Sequence, residues 1–501
     1  MEYRLILICA VTCAVALAAE CGESRTFDLS PRWDAAVPLA NPHKGWYHHY
    51  FDNGIAKYLP RRDEELIEFP GMDHIYLRLA WAYLEPREGR HDWKVIDDVI
   101  AKWTAKGLKV AFRISCRETG SYRVEQQFAT PKWVMEAGAK GGFYSRHKKP
   151  GNPKFPWEPV YDDPVFLAKL EHFLRAFAKR YDGKPWLRYV DVGSLGDWGE
   201  GHTSSGSGKK YGWAARLKHL EIHTRHFKKT LVVVSDDFVQ TAPTADGRKR
   251  LHRYIVDHDM SYRDDSILVD YWTRRDGKTW SVSAPELFEA VWRKRPTVLE
   301  CQHLRLYADP DKWHGRPGST TGRFNATAPD FIRGAIRTMH ATYIGYHGPI
   351  HQWLALPGNP RLTAELLNLC GYWYFPHRVT VPAAPGNRGE STISVTWENR
   401  GVAPAYHPYK LLFRLRGPAR RTVAVDARNM RWLPGKAGRT YTEPYRAAFF
   451  TGLKPGTYGL AIKLHSDQAN RPVLLPLRAA LREKDGFYSV GTVPGSNADG
   501  G

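Results

Sequence analysis

Two short runs of the sequence each end in a glutamate that is placed to do chemistry. The runs are 187–200 and 295–300, and each begins as an apolar, β-branched stretch before it delivers Glu200 or Glu300. Such a stretch is typical of a buried strand, so each carboxylate is expected near the point where a strand emerges from a sheet. Two carboxylates that face each other across a cleft are the minimum machinery for hydrolysing a glycosidic bond.

The elements around the two glutamates predict a (β/α)8 barrel, an α/β fold of the TIM type. Apolar strand-like runs alternate with amphipathic helical stretches from about residue 42 to residue 376. The C-terminal ends of barrel strands form one face, where catalytic groups gather, so Glu200 and Glu300 are predicted to lie there. The predicted barrel strands are 45–50, 74–80, 108–115, 189–193, 231–235, 267–271, 297–300 and 350–353.

Changes in sequence pattern along the chain predict where its domains begin and end. Short alternating strands separated by Gly and Pro turns predict a β-sandwich over 379–490, after a barrel domain over 41–378. Residues 1–18 carry Arg4, an apolar run and a terminal Ala-Leu-Ala, which is typical of a secretory signal peptide. We expect a linker over 19–40 and a disordered tail over 491–501.

This reading predicts a secreted or periplasmic protein, with lipid anchoring at Cys21 as an alternative. No later segment is apolar enough to predict a transmembrane span. The remaining cysteines, Cys116, Cys301 and Cys370, show neither paired spacing nor metal-ligand spacing. The sequence therefore predicts no disulfide framework and no metal site, and we expect Cys116 and Cys301 to be small buried side chains.

The amino-acid composition indicates which classes of molecule the protein could bind. The 501 residues include 18 Trp and 26 Tyr, which can build a core and also flat platforms for sugar rings. The formal net charge is +21, which favours an anionic polysaccharide, a cell surface or anionic lipid, although charge spread for solubility explains it equally well. Because no nucleic-acid-binding motif accompanies the charge, we expect a carbohydrate substrate and no nucleic-acid partner.

Several segments resemble known proteins. The run 81–97, with Trp81, Glu85-Pro86 and Glu88-Gly89, resembles the segment after the second strand of clan A glycoside hydrolases, including β-galactosidase-type barrels. The runs 41–47, 193–202 and 398–406 resemble a family of exported bacterial proteins in which a glycosidase-like barrel precedes a β-sandwich. The resemblance covers most of residues 40–480 and implies a glycoside hydrolase that needs no cofactor.

The resemblance also implies roles for individual residues. Clan A barrels carry the acid/base glutamate after strand four and the nucleophile at the end of strand seven, which implies Glu200 and Glu300 respectively. Tyr271 matches a tyrosine that hydrogen-bonds the nucleophile, and Arg78 matches an arginine that keeps it ionised. Trp353 matches a tryptophan that forms the floor of the sugar subsite.

The sequence departs from the clan A pattern at one position, so the identity of the acid/base residue is left open. The clan's acid/base usually follows an asparagine, whereas Gly199 precedes Glu200 here, and Glu200 lies several residues beyond the predicted strand. Asp197 is therefore an alternative group to reach the cleft. An acid that stays protonated needs apolar or like-charged surroundings, and we expect Trp198 to supply an apolar contact to Glu200. Retaining and inverting outcomes both remain open.

Further polar residues near strand ends are candidates for substrate binding. Asp237 follows the fifth predicted strand, and His202 and His303 follow the two glutamates. His48 and His49, near the end of the first predicted strand, are also candidates and are equally compatible with a surface position.

Three other functions fit the same sequence. The first is a non-catalytic glycan-binding barrel, since a fold does not fix a function. The second is a polysaccharide lyase, which uses a base and a charge neutraliser instead of an acid and a nucleophile. The third is a surface protein held by charge alone, whose binding would vanish at moderate salt.

Overall fold

The computed structural model describes residues 24–119, 123–144, 151–267, 282, 284–303, 328–351, 359–382 and 389–495. They fall into two units. One comprises 38–373 and 401–406, and the other comprises the remaining described segments. Among the described helices, none is both long enough and apolar enough to cross a bilayer. Residues 1–23, which include the predicted signal peptide, lie outside the described ranges.

The first described strand, β1 (Ser24–Asp28), lies where a linker was expected. It pairs antiparallel with β12 (Tyr374–Pro382), with Thr26 opposite Thr380. Only one of its five side chains, Phe27, is buried, so the segment lacks the apolar signal of a core strand. Backbone pairing with a strand about 350 residues away holds it in place.

The eight-stranded barrel of the larger unit confirms the predicted fold. Its strands close as a parallel barrel in the order β10-β11-β2-β3-β4-β7-β8-β9. The short strands β5 (Gly141–Phe143) and β6 (Trp157–Pro159) form a separate hairpin within the long connection after β4. The barrel strands are β2 (Gly45–Phe51), β3 (Met72–Ala80), β4 (Lys109–Ser115), β7 (Leu187–Asp191), β8 (Leu231–Ser235), β9 (Ser261–Ile267), β10 (Thr297–His303) and β11 (Ala341–His347).

Two barrel strands lie elsewhere than predicted. The sixth was predicted at 267–271, but β9 starts at Ser261, in a run whose charged Arg263 and Asp264 read as a loop although both are buried. The eighth was predicted at 350–353, but β11 covers Ala341–His347. The preceding helix ends at Met339, and His340 turns the chain with a φ of 55°, so the strand follows the helix almost directly.

Helices follow most barrel strands and cover the outside of the sheet. The longest of the described helices, α6, begins with Pro164, and the Asp163 carboxylate caps it by accepting a hydrogen bond from the Phe166 backbone N–H at 3.0 Å. The described helices are α1 (Glu64–Ile67), α2 (Trp81–Leu84), α3 (Lys94–Ala105), α4 (Val124–Gln127), α5 (Lys132–Glu136), α6 (Pro164–Tyr181), α7 (Trp213–His226), α8 (Asp237–Gln240), α9 (Ala245–Asp257), α10 (Pro285–Glu289), α11 (Ala328–Met339) and α12 (Asn359–Leu369).

The second unit contains two antiparallel sheets, as the alternating C-terminal runs predicted. One sheet has the order β1-β12-β13-β16, and the other has β15-β14-β17-β18 with β19 paired to β17. The last strand includes residues 491–494, which were expected to belong to a disordered tail. The strands not yet bounded are β13 (Ser391–Asn399), β14 (Tyr409–Arg416), β15 (Arg420–Ala427), β16 (Thr440–Ala447), β17 (Thr457–Ser466), β18 (Arg471–Val473) and β19 (Tyr488–Pro494).

Candidate active site

The side chains inside the barrel form two layers: a hydrophobic core layer and, nearer the C-terminal ends of the strands, a polar layer. Side chains two residues apart on a strand point to the same face, so each inward core residue is followed by another inward residue nearer the C-terminal end. The core layer consists of Tyr47, Tyr76, Ala111, Tyr189, Val233, Val298 and Tyr343. Two residues further along six of these strands, and on β9, lie His49, Arg78, Arg113, Asp191, Ser235, Arg263 and Glu300, all of them buried.

Glu300, on β10, belongs to this polar layer. Its Oε2 atom lies 2.6 Å from Arg263 Nη1, and its Oε1 atom lies 2.5 Å from His347 Nε2. The His49 Nε2 atom is 4.0 Å from Oε2. Burial alone would raise the pKa of Glu300, but Arg263 and His347 outweigh it and hold the pKa well below its usual range. Glu300 is therefore an ionised carboxylate, as a nucleophile or base must be.

Glu200 lies in the loop that follows β7 and reaches the same layer. Its Oε1 atom is 2.7 Å from Arg113 Nη2 and 3.7 Å from Arg78 Nη1, and its Oε2 atom is 3.4 Å from His202 Nε2. Burial raises the pKa of Glu200, but Arg113 and His202 lower it by more, so the net shift is downward. The expected apolar setting beside Trp198 is therefore wrong, because the groups that surround the carboxylate are cations.

Arg113 links the two glutamates. Its Nη2 atom binds Glu200, and its Nη1 atom is 3.8 Å from Glu300 Oε2. Arg263 also contacts Asp191, with Nε 2.7 Å from Oδ2, and Arg78 contacts Asp52. Charges of alternating sign thus cross the barrel in one continuous series, which we call the ion-pair chain. Its members in order are Asp191, Arg263, Glu300, Arg113, Glu200, Arg78 and Asp52.

The loop that carries Glu200 is held by tight backbone turns. The 3₁₀ turn Asp197–Gly199 contains Trp198 with a φ of 51° and Gly199 with a φ of 83°. A Cβ atom on Gly199 would lie 2.3 Å from the Gly193 Cα atom, so only glycine fits this approach. The glycine that broke the expected Asn-Glu pattern is therefore required by the path of the loop.

Asp197 supports this loop and does not reach the cleft as the alternative acid. Its carboxylate is fully buried, contacts Arg117 and accepts a hydrogen bond from the Ser205 backbone N–H at 2.6 Å. The Asp197 Oδ2 atom is also 3.4 Å from His202 Nδ1. Arg117 in turn pairs with Glu158 at 3.2 Å, which ties the long connection after β4 to the Glu200 loop.

Two titratable groups beside Glu200 have shifted pKa values. Burial lowers the pKa of His202, but its hydrogen bonds to Asp197 and Glu200 raise it to about 11, so His202 is a cation at neutral pH. Burial and the charge of Glu200 raise the pKa of Asp237 to about 6, against the opposing effect of His202. His202 and Asp237 thus both interact electrostatically with Glu200, and their role in substrate binding stays a prediction.

Three predicted site residues are not placed. Tyr271 and Trp353 lie outside the described residues, and the His303 side chain is not described. The strands assigned to Tyr271 and Trp353 end earlier, at Ile267 and His347. Trp198 is half-buried, and its indole N–H has no hydrogen-bond partner in the described part of the chain.

Sequence reasoning missed four residues of the site: Arg113, Arg263, Asp52 and His347. The first two lie within strands, where attention to strand ends does not find them. Their signal is a charged residue two places after a buried core residue, as in Ala111-Phe-Arg113. His49, Asp52 and His347 each offer a metal-ligating atom, and these three atoms lie within 4.8 Å of one another.

Comparisons with known proteins agree with the barrel. Residues 59–194 match the model of the glycoside hydrolase 42 family, described as beta-galactosidase. A beta-galactosidase from Thermus thermophilus is 24% identical over 135 residues, which are 27% of this chain and 19% of that protein. The chain therefore covers about a fifth of that relative. These matches confirm the resemblance to β-galactosidase-type barrels, but the family match ends before Glu200.

Solved structures with similar architecture are distant. Endo-glycoceramidase II from Rhodococcus sp. has a TM-score of 0.37 and 15% identity, covering 93% of this chain and 99% of that chain. The catalytic domain of beta-amylase from Paenibacillus polymyxa has a TM-score of 0.42 and 11% identity, covering 66% of this chain and 98% of that chain.

Proposed function

We propose that this protein is a glycoside hydrolase that uses Glu200 and Glu300 as its reacting carboxylates. One observation carries the proposal: both carboxylates contact the same guanidinium, that of Arg113, inside the C-terminal part of the barrel. Two carboxylates brought together from the loop after the fourth barrel strand and from within the seventh supply the pair that glycoside hydrolysis requires. The partial match to the beta-galactosidase family supports the same reaction class.

Glu300 is the nucleophile in this proposal. Arg263 and His347 keep it ionised, so its oxygen can attack the anomeric carbon while the bond to the leaving oxygen breaks. The product of this step is a glycosyl ester of Glu300, which water then hydrolyses to restore the carboxylate and release the sugar. This sequence of two displacements retains the anomeric configuration.

Glu200 and His202 act together as the proton donor. The leaving oxygen needs a proton, and Glu200 alone is held ionised by its cationic neighbours. His202 remains protonated at neutral pH and lies 3.4 Å from Glu200 Oε2, so the pair holds one acidic proton. Passing it through Glu200 to the departing oxygen, and taking one back from water in the second step, balances the reaction.

The substrate is a poly- or oligosaccharide. The name of the matched family and of the Thermus relative makes β-galactosides the first class to test. The net charge of +21 adds anionic polysaccharides to that set, because a positive surface concentrates them near the site.

Export is part of the proposal and rests on the sequence alone. Residues 1–18 have the order of a secretory signal, with Arg4, an apolar run and Ala18 before the expected cleavage point. Export would bring the enzyme to polysaccharides outside the cell. Mass spectrometry of the mature N-terminus tests it: cleavage after Ala18 supports a signal peptide, acylated Cys21 a lipid anchor, and an intact Met1 contradicts export.

A glycan panel tests the activity. Wild-type protein and a Glu200→Gln/Glu300→Gln double variant are incubated with neutral and anionic glycans, and new reducing ends are counted. We expect wild-type protein to release reducing ends from at least one glycan, and the double variant to lose that release. The double variant should melt at a lower temperature, because buried Arg113 loses both of its carboxylate partners, so its folded state at the assay temperature is checked by circular dichroism. Products with a new double bond, seen by ultraviolet absorption, would indicate a lyase and contradict the proposal.

A second candidate, a non-catalytic glycan-binding barrel, is favoured by the ion-pair chain. Both glutamates are paired with arginine, and a lowered pKa is also what a purely structural ion pair produces. This candidate predicts that calorimetry detects glycan binding without product release. It further predicts that the double variant binds as wild-type protein does.

A further inference from the structure

Two histidines and an aspartate converge at the edge of the candidate active site. His49 lies on β2, Asp52 directly follows the end of that strand, and His347 ends the neighbouring strand β11. One ligand atom from each residue lies within 4.8 Å of the other two. His49 and Asp52 are fully buried and His347 is 8% exposed, so solvent has little access to their polar atoms.

His49 supplies an independent observation that points to a ligand. The residue is fully buried, and neither of its ring nitrogens has a hydrogen-bond partner in the described part of the chain. The Glu300 Oε2 atom is 4.0 Å from His49 Nε2, which is beyond hydrogen-bond reach. Buried polar atoms are normally satisfied, so an unpartnered imidazole at a cluster of ligand atoms indicates a missing partner.

The contacts of His347 match those of a metal ligand. Its Nε2 atom bonds Glu300 Oε1 at 2.5 Å, while its Nδ1 atom faces Asp52 Oδ2 at 3.7 Å. Metal-binding histidines commonly give their other ring N–H to a carboxylate, which fixes the ring and its tautomer. In this arrangement Glu300 orients His347, and Nδ1 is directed towards Asp52.

We propose that His49, Asp52 and His347 bind a divalent transition metal ion of the zinc class. Two imidazoles and one carboxylate suit such ions better than magnesium or calcium, which prefer oxygen ligands. Ligand atoms of a tetrahedral zinc site lie ~3.3 Å apart, so the three groups close slightly around the ion. Three protein ligands leave one position for water or a substrate hydroxyl.

Cations surround the cluster and limit how the ion binds. The Arg78 guanidinium contacts Asp52 Oδ1, and Lys57 Nζ lies 3.6 Å from Oδ2. The ion therefore takes Oδ2, and Lys57, whose side chain is 41% exposed, moves towards solvent. The negative charge of Glu300, one hydrogen bond away through His347, offsets part of the repulsion from Arg78.

Metal binding goes beyond the proposed hydrolysis and is measured without it. Untagged full-length protein is dialysed with Zn²⁺ or Co²⁺, the bound metal is counted by mass spectrometry, and the visible spectrum of the Co²⁺ form is recorded. We expect about one ion per chain and the visible bands of tetrahedral Co²⁺ with nitrogen and oxygen ligands. The variants His49→Gln and Asp52→Asn should each lower the affinity at least tenfold.

His48→Gln is the matched control. His48 lies on the same strand, but its Nε2 atom bonds the Tyr58 carbonyl at 2.8 Å, so this variant should bind metal as wild-type protein does. Retention of full affinity by His49→Gln and Asp52→Asn would overturn the proposal. If both variants fail to fold, the wild-type Co²⁺ form decides: no stoichiometric ion, no tetrahedral bands, or a thiolate charge-transfer band would overturn it.

Discussion

Among single residues, three buried arginines hold the carboxylates of the candidate active site in place. Arg78, Arg113 and Arg263 are buried, and each forks between two carboxylates of the ion-pair chain. The planar guanidinium suits such bridging, because its donors point in fixed directions. Since a buried charge is tolerated only when it is paired, the chain behaves as a unit in which each member depends on its neighbours.

Removing the central arginine tests this dependence. Arg113→Met leaves Glu200 and Glu300 without their common cation, so we expect the free energy of unfolding to fall by about 3–5 kcal/mol in urea titrations. Arg225→Met is the control, because Arg225 is 54% exposed and pairs with Glu171 at the surface. That variant should lose at most about 1 kcal/mol. Equal losses in the two variants would contradict the account.

Asp237 makes stability depend on pH. Its pKa is about 6 in the folded chain against an ordinary value of 3.8, so the folded state binds more protons between these values. Stability contributed by protonated Asp237 is therefore complete below pH 3.8 and is lost as the pH rises through about 6.

The variant Asp237→Asn should remove this loss. We expect it to raise the free energy of unfolding at pH 7.5 by up to about 3 kcal/mol, and to change it little at pH 4. Thermal melts at the two pH values measure the difference, with exposed Asp257→Asn as the control. A gain at pH 4 that equals the gain at pH 7.5 would contradict the assignment.

Part of the site was predictable at this scale and part was not. Strand ends and a family pattern pointed to Glu200, Glu300 and Arg78, but Arg78 contacts Glu200 and Asp52 and not Glu300, the nucleophile it was expected to hold. Arg113 and Arg263 were not found, because a charged residue within a strand reads as solvent-facing unless its neighbours at two-residue spacing are known to face the barrel interior.

The loop after β7 is the element that places Glu200. Its path returns past Gly193, and its turns use positive φ at Gly196, Trp198, Gly199 and Gly201. The sequence predicted that Glu200 lies several residues beyond a short apolar strand, on the face formed by the strand ends. The distance that the glutamate travels back into the barrel depends on contacts with Arg113 and His202, which no local pattern shows.

Gly199→Ser tests whether this path matters. The added Cβ atom would meet the Gly193 backbone at 2.3 Å in a left-handed conformation, at a cost of about 1–3 kcal/mol. We expect turnover to fall ~10²-fold, because Glu200 is displaced from its partners. Gly212→Ser is the matched control, since its Cβ atom meets nothing within 4 Å and serine is a favourable N-cap for α7. Equal turnover in the two variants would contradict the role of the loop.

Strands with charged or mixed sequences were the hardest elements to place. The apolar runs of β3, β4 and β8 were located directly by their composition. The sequence Ser-Tyr-Arg-Asp-Asp of β9 reads as a loop, because its buried charges have partners only in the folded barrel. Tertiary ion pairing thus overrides the local preference against charge in a central strand.

At the scale of the whole molecule, the division into a barrel and two antiparallel sheets follows from sequence texture. Alternating helical and strand-like runs are replaced by short strands with Gly and Pro turns. This change can be recognised from neighbouring residues in the sequence alone. The strand β1 could not be foreseen, because its partner β12 lies about 350 residues away. The five side chains of β1 are mostly exposed, so their sequence pattern does not indicate pairing with a strand so far away in the sequence.

The net charge of +21 predicts salt-dependent attraction to anionic glycans. Screening shortens electrostatic range from about 8 Å at physiological salt to about 3 Å at 1 M. We expect retention on an anionic polysaccharide matrix to fall at least tenfold between these conditions, and retention on a neutral matrix to stay unchanged. If retention on the anionic matrix did not change with salt concentration, electrostatic attraction would be excluded as its cause.

The most direct test of the two carboxylates varies the leaving group. Turnover of Glu200→Gln and Glu300→Gln is measured on a glycoside with an alkyl leaving group and on the same sugar with a dinitrophenyl leaving group, which departs without protonation. We predict that kcat/KM of Glu300→Gln falls ~10²–10⁴-fold or more on both substrates, whereas kcat/KM of Glu200→Gln, which reports only the first displacement, falls this far only on the alkyl glycoside. Wild-type turnover by either variant on the alkyl glycoside would contradict the account.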